Sequence, residues 1–223
     1  MALIENAQPK ETSGAYHRLF GNSQLGMLIS RVQSAVISSG TELERMIKER
    51  VNLIEDVDEF LETETMPEGV WVASKSGVKK CATLDYKGSE PDFFIFKRHK
   101  GIQHCYIIEL KDGHIFDTKK AAAEREAAHG FVEQKAQRLQ YRMSCHFCAF
   151  NLDDRDAIWK GFKKRIRLDE IMTGREFCDL LEIDYEEIVE SRKAHGPVNL
   201  DYFISELVRI PEVKSKINRL LRQ

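Results

Sequence analysis

Two acidic residues and a lysine lie at the ends of two neighbouring apolar segments of the sequence. Asp92 directly precedes the apolar residues 93–96, and Glu109 and Lys111 come just after the apolar residues 106–108. Because side chains in a strand alternate between faces, Glu109 and Lys111 should project from the same face. If the two segments pair as an antiparallel hairpin, Asp92 comes close to Glu109. The sequence therefore predicts two carboxylates and one amine clustered at an edge of a sheet.

Such a cluster suits the hydrolysis of a phosphodiester. Burying two carboxylates together is costly unless a cation neutralises them. A magnesium ion fits because it takes oxygen ligands and needs only one or two carboxylates, with water and phosphate completing its shell. The backbone carbonyl of Leu110 could be a further ligand. Lys111 could orient or deprotonate the attacking water and stabilise charge at the phosphorus atom.

Length, composition and charge limit the class of protein. The chain has 223 residues, 42% of them hydrophobic and 31% charged, which is typical of a soluble globular domain. The net charge is −2, so any nucleic-acid site must be a local patch. No apolar run is long enough to span a membrane, and the N-terminus lacks the pattern of a signal peptide. We therefore expect no membrane association and a cytoplasmic location.

The five cysteines do not predict a disulfide framework, because their number is odd and they are mostly unclustered. Cys145 and Cys148 have the spacing of a zinc half-site, but no second pair follows that spacing. Their apolar surroundings favour reduced cysteines in a buried strand. No glycine-rich phosphate-binding loop occurs either.

Apolar residues at three- and four-residue steps predict helices from residue 24 to about residue 60, interrupted at residues 38–40. Short apolar runs between turn residues predict strands at residues 70–74, 81–86, 91–96, 104–110 and 145–150. Further helices are expected at residues 117–143 and near residues 169–192, 199–209 and 211–222. The sequence thus predicts an α/β fold, a central mixed β-sheet flanked by helices with a helical C-terminal part.

Pro91-Asp92 together with Glu109-Leu110-Lys111 resembles the PD-(D/E)XK motif of the restriction-endonuclease-like nucleases. The order of helix, strands, helix and strand over about residues 40–150 is also similar to that fold. The resemblance implies magnesium-dependent cleavage of DNA that leaves 5′-phosphate and 3′-hydroxyl ends. It is strongest to the type II restriction endonucleases, which implies a catalytic role for Asp92, Glu109 and Lys111.

Many of these nucleases carry a glutamate on the helix before the sheet, in a Gly-x-x-x-Glu context. Gly40 and Glu44 match this spacing, so Glu44 is a candidate accessory acid, although it could instead cap a helix that starts at Thr41. We expect one nuclease domain over residues 1–223, with residues 1–22 a loose lead-in and residues 40–150 the catalytic core. Cleavage of both strands at a palindrome further predicts a homodimer.

Basic side chains outside the cluster are candidates for contacts with DNA phosphates. Two groups are favoured, one just after the motif and one in which lysines and arginines alternate with Trp159 and Phe162. They comprise Lys119, Lys120, Lys160, Lys163, Lys164, Arg165 and Arg167. Residues 151–223 are therefore expected to supply DNA-binding or dimerisation elements.

Two other functions remain open on the sequence alone. The same cluster serves DNA-repair nucleases and junction resolvases, which recognise DNA structure and not sequence. Alternatively, a Glu and a Lys at a strand end commonly form a solvated ion pair, and a Pro-Asp step is ordinary turn chemistry. In that case the chain would be a DNA-binding regulator without metal-dependent cleavage.

Overall fold

The computed structural model describes residues 1–10, 14–63, 67–87, 90–113, 116–135 and 138–223. These residues form two compact units: the first comprises residues 1–45 and 186–223, and the second comprises residues 46–185. The predicted α/β class is confirmed, since the second unit contains a five-stranded mixed sheet with helices around it. Among the described residues, no helix has both the length and the apolar character needed to cross a membrane.

The first unit is helical. It contains α1 (Gly14–Phe20), most of α2 (Ser23–Lys48), most of α8 (Tyr185–Lys193), α9 (His195–Arg209) and α10 (Pro211–Leu220). The first ten residues, predicted as part of a loose lead-in, make specific contacts within this unit. Ile4 and Ala7 are buried against Ala35, and the Ile4 backbone N–H donates to Asn199 Oδ1 at 2.8 Å.

Helix α2 runs without a break through residues 38–40, so the predicted interruption there is wrong. The hydroxyl of Ser38 donates to the carbonyl of Ser34 at 2.7 Å, and that of Ser39 donates to the carbonyl of Ala35 at 3.1 Å. Bonds of this kind satisfy the serine hydroxyls inside a helix, so these residues need not end it.

The sheet of the second unit has the strand order β1-β2-β3-β4-β5. Its strands are β1 (Gly69–Ser74), β2 (Phe93–His99), β3 (Ile102–Lys111), β4 (Arg142–Ala149) and β5 (Ile171–Thr173). The first three strands pair antiparallel, and β3, β4 and β5 pair parallel. The predicted hairpin between β2 and β3 is confirmed. It turns at Lys100 and Gly101, whose positive φ angles of 50° and 75° match the twist of the paired strands.

Helices cover the sheet within the second unit. They are α3 (Val57–Glu62), α4 (Lys75–Lys80), α5 (Thr118–Lys135), α6 (Arg155–Gly161) and α7 (Gly174–Leu181), with a short 3-10 turn at Leu168–Glu170. Helix α5 is the crossover that makes β3 and β4 parallel. Its residues Ala128 and Phe131 pack in one core cluster with Phe94, Phe96 and Ile107 of the hairpin.

Other elements also differ from the prediction. The segment near residues 169–192, predicted as one helix, contains β5, α7 and most of α8. Residues 81–86 are not a strand, because the backbone N–H groups of Ala82 and Thr83 donate to the Asp58 carboxylate and not to a neighbouring strand. Helix α5 ends at Lys135, short of residue 143, and residues 136 and 137 lie outside the described residues. Strand β5 has three residues, too few for alternation to show in the sequence.

Candidate active site at the end of the hairpin

The hairpin places Asp92 opposite Glu109, as the sequence predicts. Phe93 pairs with Ile108 in the antiparallel register. The next pair of opposed positions is therefore Asp92 and Glu109. The Leu110 N–H donates to Asp92 Oδ2 at 2.7 Å. Asp92 is 9% exposed and Glu109 is 7% exposed. Two acidic residues are thus buried side by side at one end of the sheet.

The Lys111 ammonium lies between two carboxylates. Its Nζ atom contacts Glu109 Oε1 directly and lies 3.3 Å from Glu124 Oε2. Glu124 is on α5, its side chain is only 5% exposed, and the sequence analysis did not identify it. The sequence did contain a pattern that indicates a role for Glu124. Ala121, Glu124 and Ala128 share the buried face of an alanine-rich helix. A lone glutamate on such a face requires a cationic partner.

The start of α5 places two predicted DNA contacts beside this cluster. Asp117 precedes the helix and accepts the N–H groups of Lys119 and Lys120 at 3.0 and 3.1 Å. Both lysine side chains are exposed, and Lys120 Nζ lies 3.2 Å from Glu124 Oε1. Lys120 therefore lies beside the cluster, because it contacts the same Glu124 carboxylate as Lys111 does.

A second ion cluster holds α5 in place. The Arg125 guanidinium donates to both oxygens of Glu170 at 2.6 and 2.8 Å, and His129 Nε2 lies 2.7 Å from Glu170 Oε1. Glu170 is buried and also accepts the Arg167 N–H at 3.0 Å. These bonds fix the helix turn that carries Glu124.

Burial and like charge govern the protonation of the cluster. Burial, together with the charge of Asp92, raises the pKa of Glu109 to about 8. Burial disfavours the charged form of Lys111, but the carboxylates of Glu109 and Glu124 outweigh it and raise the pKa of this amine. Burial also disfavours the charged form of Glu124. The charge of Lys111 and hydrogen bonds with Glu109 and with Lys120 outweigh burial and lower the pKa of Glu124. Lys111 is therefore an ammonium ion at neutral pH.

The donor set fits a hard divalent cation. Asp92 and Glu109 present carboxylate oxygens in a buried site where their mutual repulsion favours a cation over two bare charges. Among the described residues, no three His, Cys, Asp or Glu side chains are arranged to hold a metal. The protein would thus supply two carboxylates, with further ligands from the backbone, water and phosphate, as magnesium allows.

The basic residues near Trp159 form an exposed loop after α6. Lys163 and Lys164 have left-handed φ angles of 49° and 59°, which are unusual for residues other than glycine. The N–H of Lys164 donates to the Trp159 carbonyl at 2.9 Å, and its ammonium lies 4.7 Å from the Trp159 ring centroid. Phe162 is buried and stacks on Phe116 at 4.1 Å, so it belongs to the core.

The remaining predicted DNA contacts lie around this loop. Lys160 at the end of α6 and Arg165 next to Lys164 are exposed. Arg167 is exposed as well, but its guanidinium is paired with Asp169 at 2.7 Å. Residues 163–165 are thus three consecutive exposed basic residues. We call these three residues the basic loop.

The chain is 39% identical to the type II restriction enzyme HhaII of Haemophilus parahaemolyticus, over 226 residues that cover 98% of this chain and 99% of that enzyme. This chain belongs to the type II restriction enzymes. No protein-family model matches it, and no solved structure matches it significantly. Type II restriction enzymes are site-specific deoxyribonucleases, so the predicted class of enzyme is confirmed.

Glu44 of this restriction enzyme lies within α2, near its C-terminal end, and is half-buried. Since α2 starts at Ser23, the alternative that Glu44 caps a helix beginning at Thr41 is wrong. Glu44 belongs to the first unit and the Asp92–Glu109 pair to the second. Its role as an accessory acid stays a prediction.

The cysteines of the restriction enzyme are all free and buried. Cys145 and Cys148 lie on β4, which confirms the predicted buried strand. They are three residues apart on a strand, so their side chains face opposite sides of the sheet and cannot chelate one ion. This geometry removes the zinc alternative for the pair.

The raised pKa of Glu109 gives the restriction enzyme an expected pH dependence in EDTA. The ordinary pKa of a glutamate is 4.5, and that of Glu109 in the folded chain is about 8. Between these values the folded chain holds a proton that the unfolded chain has released, so the free energy of unfolding should fall as the pH rises. The fall is about 1.4 kcal/mol for each unit of pKa difference.

Urea unfolding at several pH values between about 5 and about 8 measures this effect. The Glu109→Gln variant cannot titrate at this position, and its free energy of unfolding should depend less on pH. Parallel curves for the two proteins would show that Glu109 keeps an ordinary pKa.

Proposed function

We propose that this restriction enzyme is a magnesium-dependent endonuclease of the PD-(D/E)XK superfamily. It cleaves both DNA strands at a specific site and leaves 5′-phosphate and 3′-hydroxyl ends. The observation that carries the proposal is the clustering of the buried Asp92 and Glu109 with the partly buried Lys111 at the end of the hairpin. An ordinary surface ion pair would not need two adjacent buried acids.

Each residue of the cluster has a defined role in this proposal. Asp92 and Glu109 hold the magnesium ion, with the Leu110 carbonyl as a further ligand. The bound ion supplies positive charge at the phosphate and acidifies water. Lys111 is an ammonium ion, so it orients the attacking water and stabilises negative charge, and the alternative of a neutral lysine base is disfavoured. Glu44 is the accessory acid.

Exposed basic side chains next to the cluster and beyond it would bind the DNA backbone. Lys119 and Lys120 lie at the start of α5, where a phosphate bound at the cluster would be within reach of lysine side chains. The basic loop and its neighbours Lys160 and Arg167 provide the second contact region. Backbone contacts of this kind position the duplex, and other residues read the bases.

We propose that the left-handed backbone at Lys163 and Lys164 places the basic loop for DNA binding. A left-handed conformation costs about 1–2 kcal/mol for a residue with a Cβ atom. Lys164→Gly should therefore raise the free energy of unfolding by about 1 kcal/mol. The same change should weaken DNA binding and reduce the slope of log affinity against log salt by about one.

Lys164→Ala is the matched control, because it removes the charge but keeps the strain. It should show the same weaker binding and reduced salt slope, without the gain in stability. Thermal unfolding and DNA-binding titrations at several salt concentrations test both variants. Salt slopes equal to that of the wild type in both would exclude Lys164 from the DNA contact.

We further propose that the enzyme acts as a homodimer in the cytoplasm, with one cluster cutting each strand. Cleavage at a two-fold symmetric site requires two active sites related by the same symmetry. Membership of the type II restriction enzymes favours a site-specific endonuclease over a structure-selective repair nuclease, a resolvase or a non-catalytic regulator. A site-specific endonuclease that cuts both strands is in turn expected to be a dimer.

Digestion of unmethylated phage DNA with magnesium or with EDTA tests the proposed activity. We expect discrete fragments with magnesium and intact DNA with EDTA. We also expect DNA ligase to join the fragments without prior phosphorylation, which would show that their 5′ ends carry phosphate. A smear would indicate a structure-selective or nonspecific nuclease. Intact DNA in both lanes, from several DNA sources, would favour the regulator.

A further inference from the structure

The Glu124 carboxylate lies between two ammonium groups at the edge of the candidate active site. Its Oε2 atom is 3.3 Å from Lys111 Nζ, and its Oε1 atom is 3.2 Å from Lys120 Nζ. The side chain of Glu124 is 5% exposed, whereas that of Lys120 is 60% exposed. Glu124 is thus a buried carboxylate of α5 that lies next to the Lys111 ammonium.

A cation bound by Glu109 would compete with the present contact of Lys111. Its ammonium now contacts Oε1 of Glu109, whose carboxylate the proposed function assigns to magnesium. An ammonium ion and a divalent cation repel each other at one carboxylate. The ammonium therefore needs a second anionic partner when the cation is bound, and Glu124 already lies next to it.

We propose that Glu124 is a positioning residue for Lys111. It holds the ammonium beside the cluster and so frees the Glu109 carboxylate for the cation. This inference rests on the proposed function, since it concerns how the same site accommodates lysine and cation together.

The surroundings of Glu124 suit a fixed anchor. Arg125, the next residue on α5, forms two hydrogen bonds with Glu170, and His129 contacts the same carboxylate. These bonds hold the helix turn, and burial limits the rotamers of Glu124. A residue that orients another group in this way commonly changes metal affinity or activity about 10- to 100-fold when it is replaced.

Calcium binding, measured by calorimetry, provides a readout that does not depend on cleavage. Four proteins form a double-mutant cycle: the wild type, Glu124→Gln, Lys111→Ala and the variant with both changes. Glu126→Gln is the matched control, because Glu126 is exposed on the same helix. Glu124→Asp keeps the charge with a shorter reach and serves if the Gln variant is unstable. Melting temperatures in EDTA establish that each variant is folded.

We expect Glu124→Gln to weaken calcium binding about 10- to 100-fold in the wild-type background, because the ammonium then stays on Glu109. In the Lys111→Ala background the same change should have little effect, since no ammonium competes. In cleavage assays with magnesium, Glu124→Gln should lower kcat and leave the KM for DNA unchanged. Glu124→Asp should fall between the wild type and Glu124→Gln in both assays, and Glu126→Gln should match the wild type.

Two results would overturn the inference while leaving the proposed function intact. An equal loss of calcium affinity in both backgrounds would mean that Glu124 acts on the cation directly. Unchanged calcium affinity in the wild-type background, with a lower melting temperature, would mean that Glu124 only stabilises the fold. If the wild type neither bound calcium nor cut DNA with magnesium, the proposed function and the inference would both fail.

Discussion

Replacing Lys111 with alanine should reduce the rate of DNA cleavage by about 10²–10³-fold or more, because it removes a donor directed at the charge of the transition state. DNA binding should remain within a few-fold of the wild type. The ammonium of Lys111 is directed at Glu109 and Glu124 inside the cluster, and its side chain is only 21% exposed. Its contribution to the contact surface with DNA is therefore small compared with its contribution to the reaction.

Single-turnover cleavage with magnesium and DNA-binding titrations in calcium separate these two effects. Lys87→Ala is the control, since Lys87 is an exposed lysine paired with Asp85 in the same unit. That variant should cut at the wild-type rate. Rapid cleavage by Lys111→Ala would remove this lysine from the mechanism.

Replacing Asp92 with asparagine should abolish cleavage and stabilise the fold. The amide oxygen of the new side chain can still accept the Leu110 N–H, so the end of the hairpin keeps its geometry. One of the two adjacent buried carboxylates is lost, and with it a cation ligand. The charge of Asp92 is among the causes that raise the pKa of Glu109, so its removal relieves repulsion within the cluster.

The stability gain should be about 1 kcal/mol, which corresponds to a melting temperature about 2–4 °C higher for a chain of this size. DNA binding in EDTA should become tighter, because one fewer negative charge faces the phosphates. Asp85→Asn, at an exposed carboxylate, is the control and should cut normally. A variant at Asp92 that still cut DNA, or that melted well below the wild type, would contradict the assigned role.

The sequence was sufficient for the part of the site that depends on local geometry. Glu109 and Lys111 lie on β3 and Asp92 directly precedes β2, and a short turn joins these strands, so alternation and antiparallel pairing alone place the three residues together. The buried state of Cys145 and Cys148 was predictable for a similar reason, because an apolar run of this length fits a central strand.

Contacts that depend on distant packing could not be predicted in this way. Glu124 reaches Lys111 only because α5 crosses back over the sheet at a particular height, and nothing in the spacing of the two residues determines that height. The hydroxyls of Ser38 and Ser39 could equally have ended α2, and only the complete helix shows that they bond within it. Strand β5 forms because β4 provides a parallel partner, and its three residues carry no periodicity of their own.

Localised cleavage of the protein backbone shows whether Asp92 and Glu109 hold the catalytic cation. Ferrous iron bound in place of magnesium generates hydroxyl radicals with ascorbate and peroxide, which cut the polypeptide next to the ion. We predict fragments that end near residues 92 and 109, suppressed by excess magnesium and absent in Asp92→Asn. Cuts elsewhere, or the same fragments in the variant, would contradict the assignment of the site.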